Sequence, residues 1–564
     1  MDAGRALGRR VRGGLCFALL AALAVQGAAA QSALDRQEQL RRAQRLDQRI
    51  ETQQNAPFQA LPQVAAEPAD GALPKETPCF ALHTLRLEGE RAEDFGWVQR
   101  YLDRYRGQCV GRAGLALLQK RVASLILARG YITTRVGIPA QDIAKGQLHL
   151  LLVPGVIRRI RFAEGSPASD WHTAFPIGEG DLLNLRALEQ GLEQFKRLSS
   201  QDVSMDIAPG EQAGESDVVL TVRRTRRWHV ALNASDAGLR ATGRDQGGAD
   251  LTVDDPLGWN DQLTVGLNGA LRTHDDGGST QGNHFSYSVP RGWWTFSGSY
   301  SFYKYRQWVD GFIQRFRSTG TSKTGDLSIQ RVIARGTTSR TALEFHLATR
   351  NAHSFLQGVE VGVQRQRTAS AELALLHRQY FGRAQLDARL GVQRGVPWFG
   401  SQWFGYDPNV GYPTNRYGLQ TLDLALSLPF AVGRQPVAWD SSLHAQRSTD
   451  HLPSAELVTI GGRYTVRGFD GEETLLGERG AYWRNTFTLP IAAAGIAPYL
   501  GVDAGRVGGP STQPGRRWLA GGFVGLRGSY RQFSWDAFAG WALHTPRALQ
   551  SKRPATGIQL IYQF

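Results

Sequence analysis

Beyond Gln31, this chain of 564 residues has no apolar run approaching the roughly 20 residues that a membrane-spanning helix needs. If it enters a bilayer it does so as a closed β-barrel, the other architecture that satisfies every backbone polar group within hydrocarbon. Cysteine is scarce: of 3 in the chain, Cys16 lies in the N-terminal apolar segment, leaving Cys79 and Cys109. Two thiols without paired histidines nearby argue against a structural metal site. Catalytic signatures are missing too, with no Gly-x-Ser-x-Gly elbow, no His-Glu-x-x-His and no paired-cysteine motif. The glycine-rich run 521–528 lacks dinucleotide spacing and lies in strand territory. His274, Asp275 and Asp276, like Asp470, Glu472 and Glu473, read as solvated loop charge rather than a cation site. The expectation is a protein that is not an enzyme and that uses no cofactor and no metal. Nothing but a net charge of +15 favours nucleic acid, and charge alone does not choose among acidic partners, so no nucleic acid is expected.

What is present sits at the two ends. Arg5, Arg9, Arg10 and Arg12 precede an apolar run from Leu15 to Val25, and Ala28, Ala29 and Ala30 follow. A basic start, a short apolar stretch and small residues describe a secretory signal over residues 1–30, too short to anchor the chain. The final strand places Ile558, Leu560, Tyr562 and Phe564 on one face. A terminal strand closing on an aromatic carboxyl end resembles the insertion signal of outer-membrane barrels, which implies the barrel-assembly machinery as a partner during insertion.

Between the ends the pattern changes several times. Residues 31–54 form a strongly polar helix with a thin apolar stripe at Leu40, Ala43, Leu46 and Ile50, too narrow to nucleate a core. Residues 55–77 carry Pro57, Pro62, Pro68 and Pro74 among alanines and read as a flexible linker. Two α+β units follow, 78–154 and 155–226, the first in the order strand, helix, helix, strand, strand. Cys79 and Cys109 both fall in the first unit, and in an oxidising compartment an even pair in one small domain reads as a disulfide. From 227 to 564 alternation is sustained: Trp294, Phe296, Tyr300 and Phe302 share a face while Thr295, Ser297, Ser299 and Ser301 share the other. Apolar out and polar in is the signature of a transmembrane barrel, and 65 Gly, 14 Trp, 16 Tyr and 24 Phe suit its turns and interfacial girdles. At roughly 21 residues per strand and connection the length bounds the barrel between about 14 and 18 strands.

One motif stands apart from the alternation. Val466, Arg467, Gly468 and Phe469 lie between Gly462-Arg463-Tyr464-Thr465 and Asp470-Gly471-Glu472. Glycine at 468 permits a left-handed backbone and hence a sharp turn, and an arginine at its tip presents a planar fork of donors suited to a carboxylate. With the downstream stretch from Glu478 to Asn485, this tetrad resembles the sixth extracellular loop and following strand of the TpsB transporters of two-partner secretion. Gly130-Tyr131-Ile132-Thr133-Thr134-Arg135-Val136 and Pro139-Ala140-Gln141-Asp142 likewise resemble the first POTRA domain of that family.

The resemblance implies a 16-strand antiparallel barrel in the outer membrane of a Gram-negative bacterium, two periplasmic POTRA domains, and the polar helix as a plug in the lumen. It implies that the loop gates the pore and that a strand aspartate, Asp503, pairs with Arg467. Gly501 and Gly505 on the same face would leave room for the loop. The implied function is export of a large unfolded passenger of the TpsA type, captured at a POTRA sheet edge, with activation of the passenger on the way as a further expectation; outer-membrane lipid and lipopolysaccharide are further expected partners. The alternative is a barrel-assembly or insertase relative, which carries other numbers of POTRA units and no plug helix.

Overall fold

The computed structural model describes residues 36–60 and 72–564, apart from 168, 272–276, 312, 403–412, 492–494, 513–516, 548, 550 and 552–553. The expected secretory segment 1–30, the first residues of the expected plug (31–35), most of the expected linker (61–71) and the His274, Asp275 and Asp276 cluster therefore lie outside the described residues.

In the first α+β unit the strand Gln147–Val153 is central, parallel to Thr84–Glu88 and antiparallel to Arg135–Gly137. Its alternation decides the packing: Leu148, Leu150 and Leu152 point inward while Leu151 and Val153 remain exposed. The helices Gly96–Leu102 and Arg112–Ala128 cover the inner face through Val98, Leu102, Leu118, Val122 and Ile126. At the start of Arg112–Ala128 no side chain from the N-cap helps, because that position is Gly111. Glu76 supplies the acceptor instead, taking hydrogen bonds from Ala113 N at 2.7 Å and Gly114 N at 2.6 Å. An anionic acceptor there satisfies orphan helix donors and complements the dipole. Cys79 and Cys109 are joined by a disulfide with Cα atoms 5.4 Å apart, beside the short pairing of Phe80–Ala81 with Cys109–Val110.

The second unit repeats the theme with Glu215–Arg224 central, parallel to Val156–Phe162 and antiparallel to Gln201–Pro209. Among its described residues one α-helix is present, Leu185–Lys196, started by Asn184, whose Oδ1 accepts from Arg186 N at 2.9 Å.

From Trp228–Ser235 to Ala555–Gln563 the chain closes into a 16-strand antiparallel barrel, each long strand paired with the next. A two-residue segment, Val359–Glu360, pairs back on the end of Ser339–Leu356 without interrupting that order. Closure runs from Gln559↔Ser235 to Gln563↔Ala231. Outside and inside differ as a lipid-embedded wall requires: Leu390 and Val392 are each 54% exposed on the outer face, whereas Arg389 is 1% exposed on the inner one. None of the described helices is long and apolar enough to cross a membrane.

The second α+β unit is bolted to one end of the barrel. Arg335 reaches Glu193 at 2.7 Å and Glu189 at 3.6 Å on the helix Leu185–Lys196, and Arg340 also pairs with Glu193. The turn between Gln246–Asp254 and Gln262–Ala270 completes the joint: Asp255 receives Arg224 at 3.0 Å, and Asn260 Nδ2 donates to Asp170 O at 2.6 Å. Arg197 donates to Asn260 O and Ser288 Oγ, each at 2.5 Å. Burial pushes its guanidinium down to about 10 while Asp254 and Asp261 pull it back up, so it stays cationic at neutral pH. These contacts identify the barrel end on the side of the α+β units.

Candidate functional site

The bore is occupied by two pieces of the chain itself. Residues 36–55 form a helix inside the barrel, and the connection 448–478 folds in from the opposite end. A stem in that connection, Val458–Ile460 paired with Leu475–Gly477, carries the tetrad at its tip.

At the tip, Asp503 accepts hydrogen bonds from Arg467 N at 2.9 Å and Nε at 2.7 Å through Oδ2, and from Nη2 at 2.9 Å through Oδ1. Asn485 N donates to Oδ1 as well, at 3.1 Å, and Arg467 Nη2 approaches Asn485 O at 3.4 Å. The guanidinium lies 3.7 Å above the ring centroid of Phe523. Asp503 is fully buried and Arg467 nearly so. Both carboxylate oxygens are satisfied by charged or backbone donors, the condition under which a buried ion pair holds.

Room for this docking is made by the wall. The pairing of Arg479–Thr488 with Ile496–Gly508 is broken between Trp483↔Ala504 and Phe487↔Leu500, where Asn485 turns its amide to Asp503 instead of a strand partner. Gly468 has φ 104°, and a Cβ there would meet Trp541 O at 2.6 Å. Gly521, directly opposite Asp503 in register, accommodates the Arg467 carbonyl, to which a Cβ would approach within 1.9 Å. Gly505 faces Val466 in the expected manner, at 3.0 Å from the position of a Cβ. Gly501 does not serve the loop: the carbonyl of Asn485 and the ring of Phe523 fill its space. Flanking the tip, Val466 and Phe469 join Val458, Ile460, Leu475, Tyr482, Val507 and Leu519 in an apolar cluster.

The lumen helix is held differently. Arg42 donates to Ala455 O at 2.8 Å and sits 3.1 Å from Glu456; Gln39 donates to Ser454 O at 3.1 Å. Glu38 accepts from Ser322 Oγ at 2.8 Å with Arg350 at 3.5 Å, Arg49 lies 3.8 Å from Asp423, and Arg41 covers the Tyr303 ring. Asp47 pairs with Arg484, which also reaches the carbonyls of Arg463 and Tyr464 at 3.4 Å and so ties helix to loop. Leu46 touches the apolar cluster of the tip. The helix does not fill the bore, since cavities of about 800 and 510 Å3 remain beside it. As it leaves the lumen, Arg378 and Arg335 donate to the carbonyls of Ala56 and Gln59, each at 2.7 Å, and Phe58 packs on Tyr380.

Sequence reasoning did not single out Asn485, Arg484, Asp47 or Gly521 for these roles. Their function depends on which strand lies beside which, and a local pattern carries no such information. The acidic stretch after the tetrad is not solvated charge alone: Asp470 and Glu472 lie within ion-pair distance of Arg240, and Glu472 accepts from Arg240 N at 2.9 Å. Among the described residues no group of His, Cys, Asp and Glu could hold a metal ion. At the other end of the chain Ile558, Tyr562 and Phe564 are exposed on the outer surface of the closing strand and Leu560 is half-buried; Phe564 N donates to Val230 O at 2.9 Å.

A family model described as haemolysin secretion/activation protein ShlB/FhaC/HecB matches residues 214–528, and POTRA models match 80–155 (ShlB-type) and 156–209. The chain belongs to that family. Among its relatives is the outer membrane transporter CdiB-2 of Burkholderia pseudomallei, 39% identical, with 96% of this chain and 95% of that protein covered. The hemolysin transporter protein ShlB of Serratia marcescens is 28% identical over 86% of this chain and 87% of its own length. The structure of CdiB from Escherichia coli superposes with a TM-score of 0.85 at 26% identity, covering 94% of this chain and 98% of that one. Membership in this family makes the chain an outer-membrane transporter whose POTRA units stand in the periplasm.

Proposed function

We infer that this chain carries an unfolded exoprotein of the TpsA type from the periplasm to the cell surface, with the lumen helix as a removable plug and the tetrad loop as a fixed lock. The observation that carries the reading is the contrast inside one bore: an arginine tip saturated by Asp503, next to a polar helix with water-sized space around it. In this reading residues 31–54 are the plug and 55–77 its tether. Residues 78–154 and 155–226 receive the passenger, which adds as a strand to a POTRA sheet edge. The edge Gln201–Pro209 of the second sheet is where such a strand would add; Val156–Phe162 is already engaged by residues 179–182, and Thr84–Glu88 by the Gln99 side chain. The passenger then crosses residues 227–564 as an extended polypeptide. Translocation draws on folding of the passenger outside, which removes the diffusing species.

The Cys79–Cys109 bridge holds the first receptor unit. Ile558, Leu560, Tyr562 and Phe564 act as the signal through which the barrel-assembly machinery inserts the barrel. The test is a strain lacking this chain. A large exoprotein should disappear from its surface and medium and return on restoring the wild-type chain, but not on restoring a chain lacking residues 78–226. An unchanged surface proteome would overturn the inference.

A further inference from the structure

Most lumen arginines described above are matched to carboxylates; a second set, on the outside of the wall, is not. On the strand Ile496–Gly508, Leu500, Val502, Ala504 and Arg506 share the outward face. An arginine at the end of a lipid-facing row is tolerated only near the interface, where its head leaves the hydrocarbon. Arg506 is opposite Trp518 in register, and Arg517 precedes that strand. On the neighbouring strand Arg479 shares the outward face with Ala481 and Trp483, and Arg447 ends the outward row of the next. All of these guanidiniums are exposed, and among the described residues none has a carboxylate within ion-pair distance.

Below them lies a groove of about 620 Å3, floored by Ala481 and Ala504 and walled by Trp483 and Trp518. The walls are held in place: Trp483 Nε1 donates to Ser441 Oγ at 2.8 Å, and Trp518 stacks on His544 with ring centroids 3.5 Å apart. Both indoles are nonetheless about half exposed, at 50% and 46%. The groove is at the end of the barrel opposite the α+β units, and therefore in the outer leaflet.

We propose that this surface binds a phosphorylated acyl glycolipid of the outer leaflet, with an acyl chain in the tryptophan-walled groove and its phosphates on Arg506, Arg517 and the flanking Arg479 and Arg447. The small floor admits a chain, the indoles flank it, and unpaired guanidiniums at headgroup level complement clustered phosphates better than the single phosphate of a glycerophospholipid. The site is outside the bore and does not depend on the transport reading.

The experiment uses the full chain in detergent, with purified lipid A, dephosphorylated lipid A and phosphatidylglycerol as probes, binding read by native mass spectrometry and by the shift in barrel melting. The wild type should retain lipid A, and the double variant R506Q/R517Q should lose at least tenfold in apparent affinity, while R506K/R517K keeps most of it. W483A/W518A should bind more weakly, and dephosphorylated lipid A should bind poorly to every form. Heat-modifiable gel migration shows that each variant barrel is folded, and a variant that fails this check is replaced by single R506Q. Equal binding by wild type and R506Q/R517Q, equal binding of dephosphorylated lipid A, or a preference for phosphatidylglycerol would each overturn the proposal.

Discussion

Two insertions share the lumen, and they are built on opposite principles. The tetrad loop docks through backbone as well as side chain, onto a wall that gives up part of its own ladder to receive it, with Val466 and Phe469 sealed in an apolar cluster. The helix 36–55 makes its contacts through long side chains, and its principal apolar contact with that cluster is Leu46. Around it, Gln39 Oε1, Asp423 Oδ2 and the Nε atoms of Arg350 and Arg484 are buried without a hydrogen-bond partner among the described residues. Partly satisfied polar groups are costly where water is excluded. This contrast supports the proposed assignment of the mobile role to the helix: the loop is anchored into the wall, whereas release of the more loosely matched helix would restore hydration to those atoms.

The largest effect is expected at the lock. Asp503→Ala strands a buried guanidinium, a loss of about 3–5 kcal/mol for a dry pair and less where lumen water intrudes. Export should fall roughly tenfold or more while heat-modifiable migration still reports a folded barrel, and Arg467→Ala should behave alike. The charge-swapped pair R467D/D503R should not rescue export, because Asp503 also receives the backbone amides of Arg467 and Asn485. Rescue by the swap would reduce the lock to an ordinary ion pair.

Next comes the wall that receives the tip. Gly521→Val places a side chain where the Arg467 carbonyl lies and should approach the Asp503→Ala defect in export. Gly522→Val points to the outer surface, 3.4 Å from Leu543, and should export normally. Equal behaviour of the two variants would refute the docking geometry.

On the helix side, deleting residues 34–51 should raise ion conductance in planar bilayers, with export retained. Asp47→Asn should raise it less, by the roughly 1–2 kcal/mol expected of one part-solvated pair between the exposed and buried limits. Raising salt from 0.1 to 1 M shortens the Debye length from about 10 to about 3 Å and, with conductance normalised to bulk conductivity, should mimic Asp47→Asn without touching the lock. Conductance that ignores both would count against the plug. The smallest effect is expected for Glu456→Gln: its pair with Arg42 is partly exposed and contributes about 0–1 kcal/mol, below what single-channel traces separate from wild type.

Much of this architecture was legible beforehand because the properties involved are local. Alternation along 294–302 follows from the period of a strand, and the polar helix from a stripe too thin to form a core. The tetrad declared itself through a glycine that needs positive φ beside a planar cation. Asn485, Gly521 and Arg484 were not legible. Asn485 looks like any strand residue until its missing partner is known, and Gly521 sits in a run where Gly522 is equally glycine but faces the other way. A shift of one residue in register would exchange their roles.

By itself, then, the order of residues determined the kinds of element, their number within narrow bounds, the face each presents and the chemistry of the loop tip, since period, turn geometry and donor set are properties of short stretches. Tertiary structure alone decided that Asp503 faces Gly521, that Arg484 bridges helix to loop, and that arginines with no carboxylate partner among the described residues gather above a tryptophan groove. Those depend on barrel closure and register, which bring together strands that no local pattern connects.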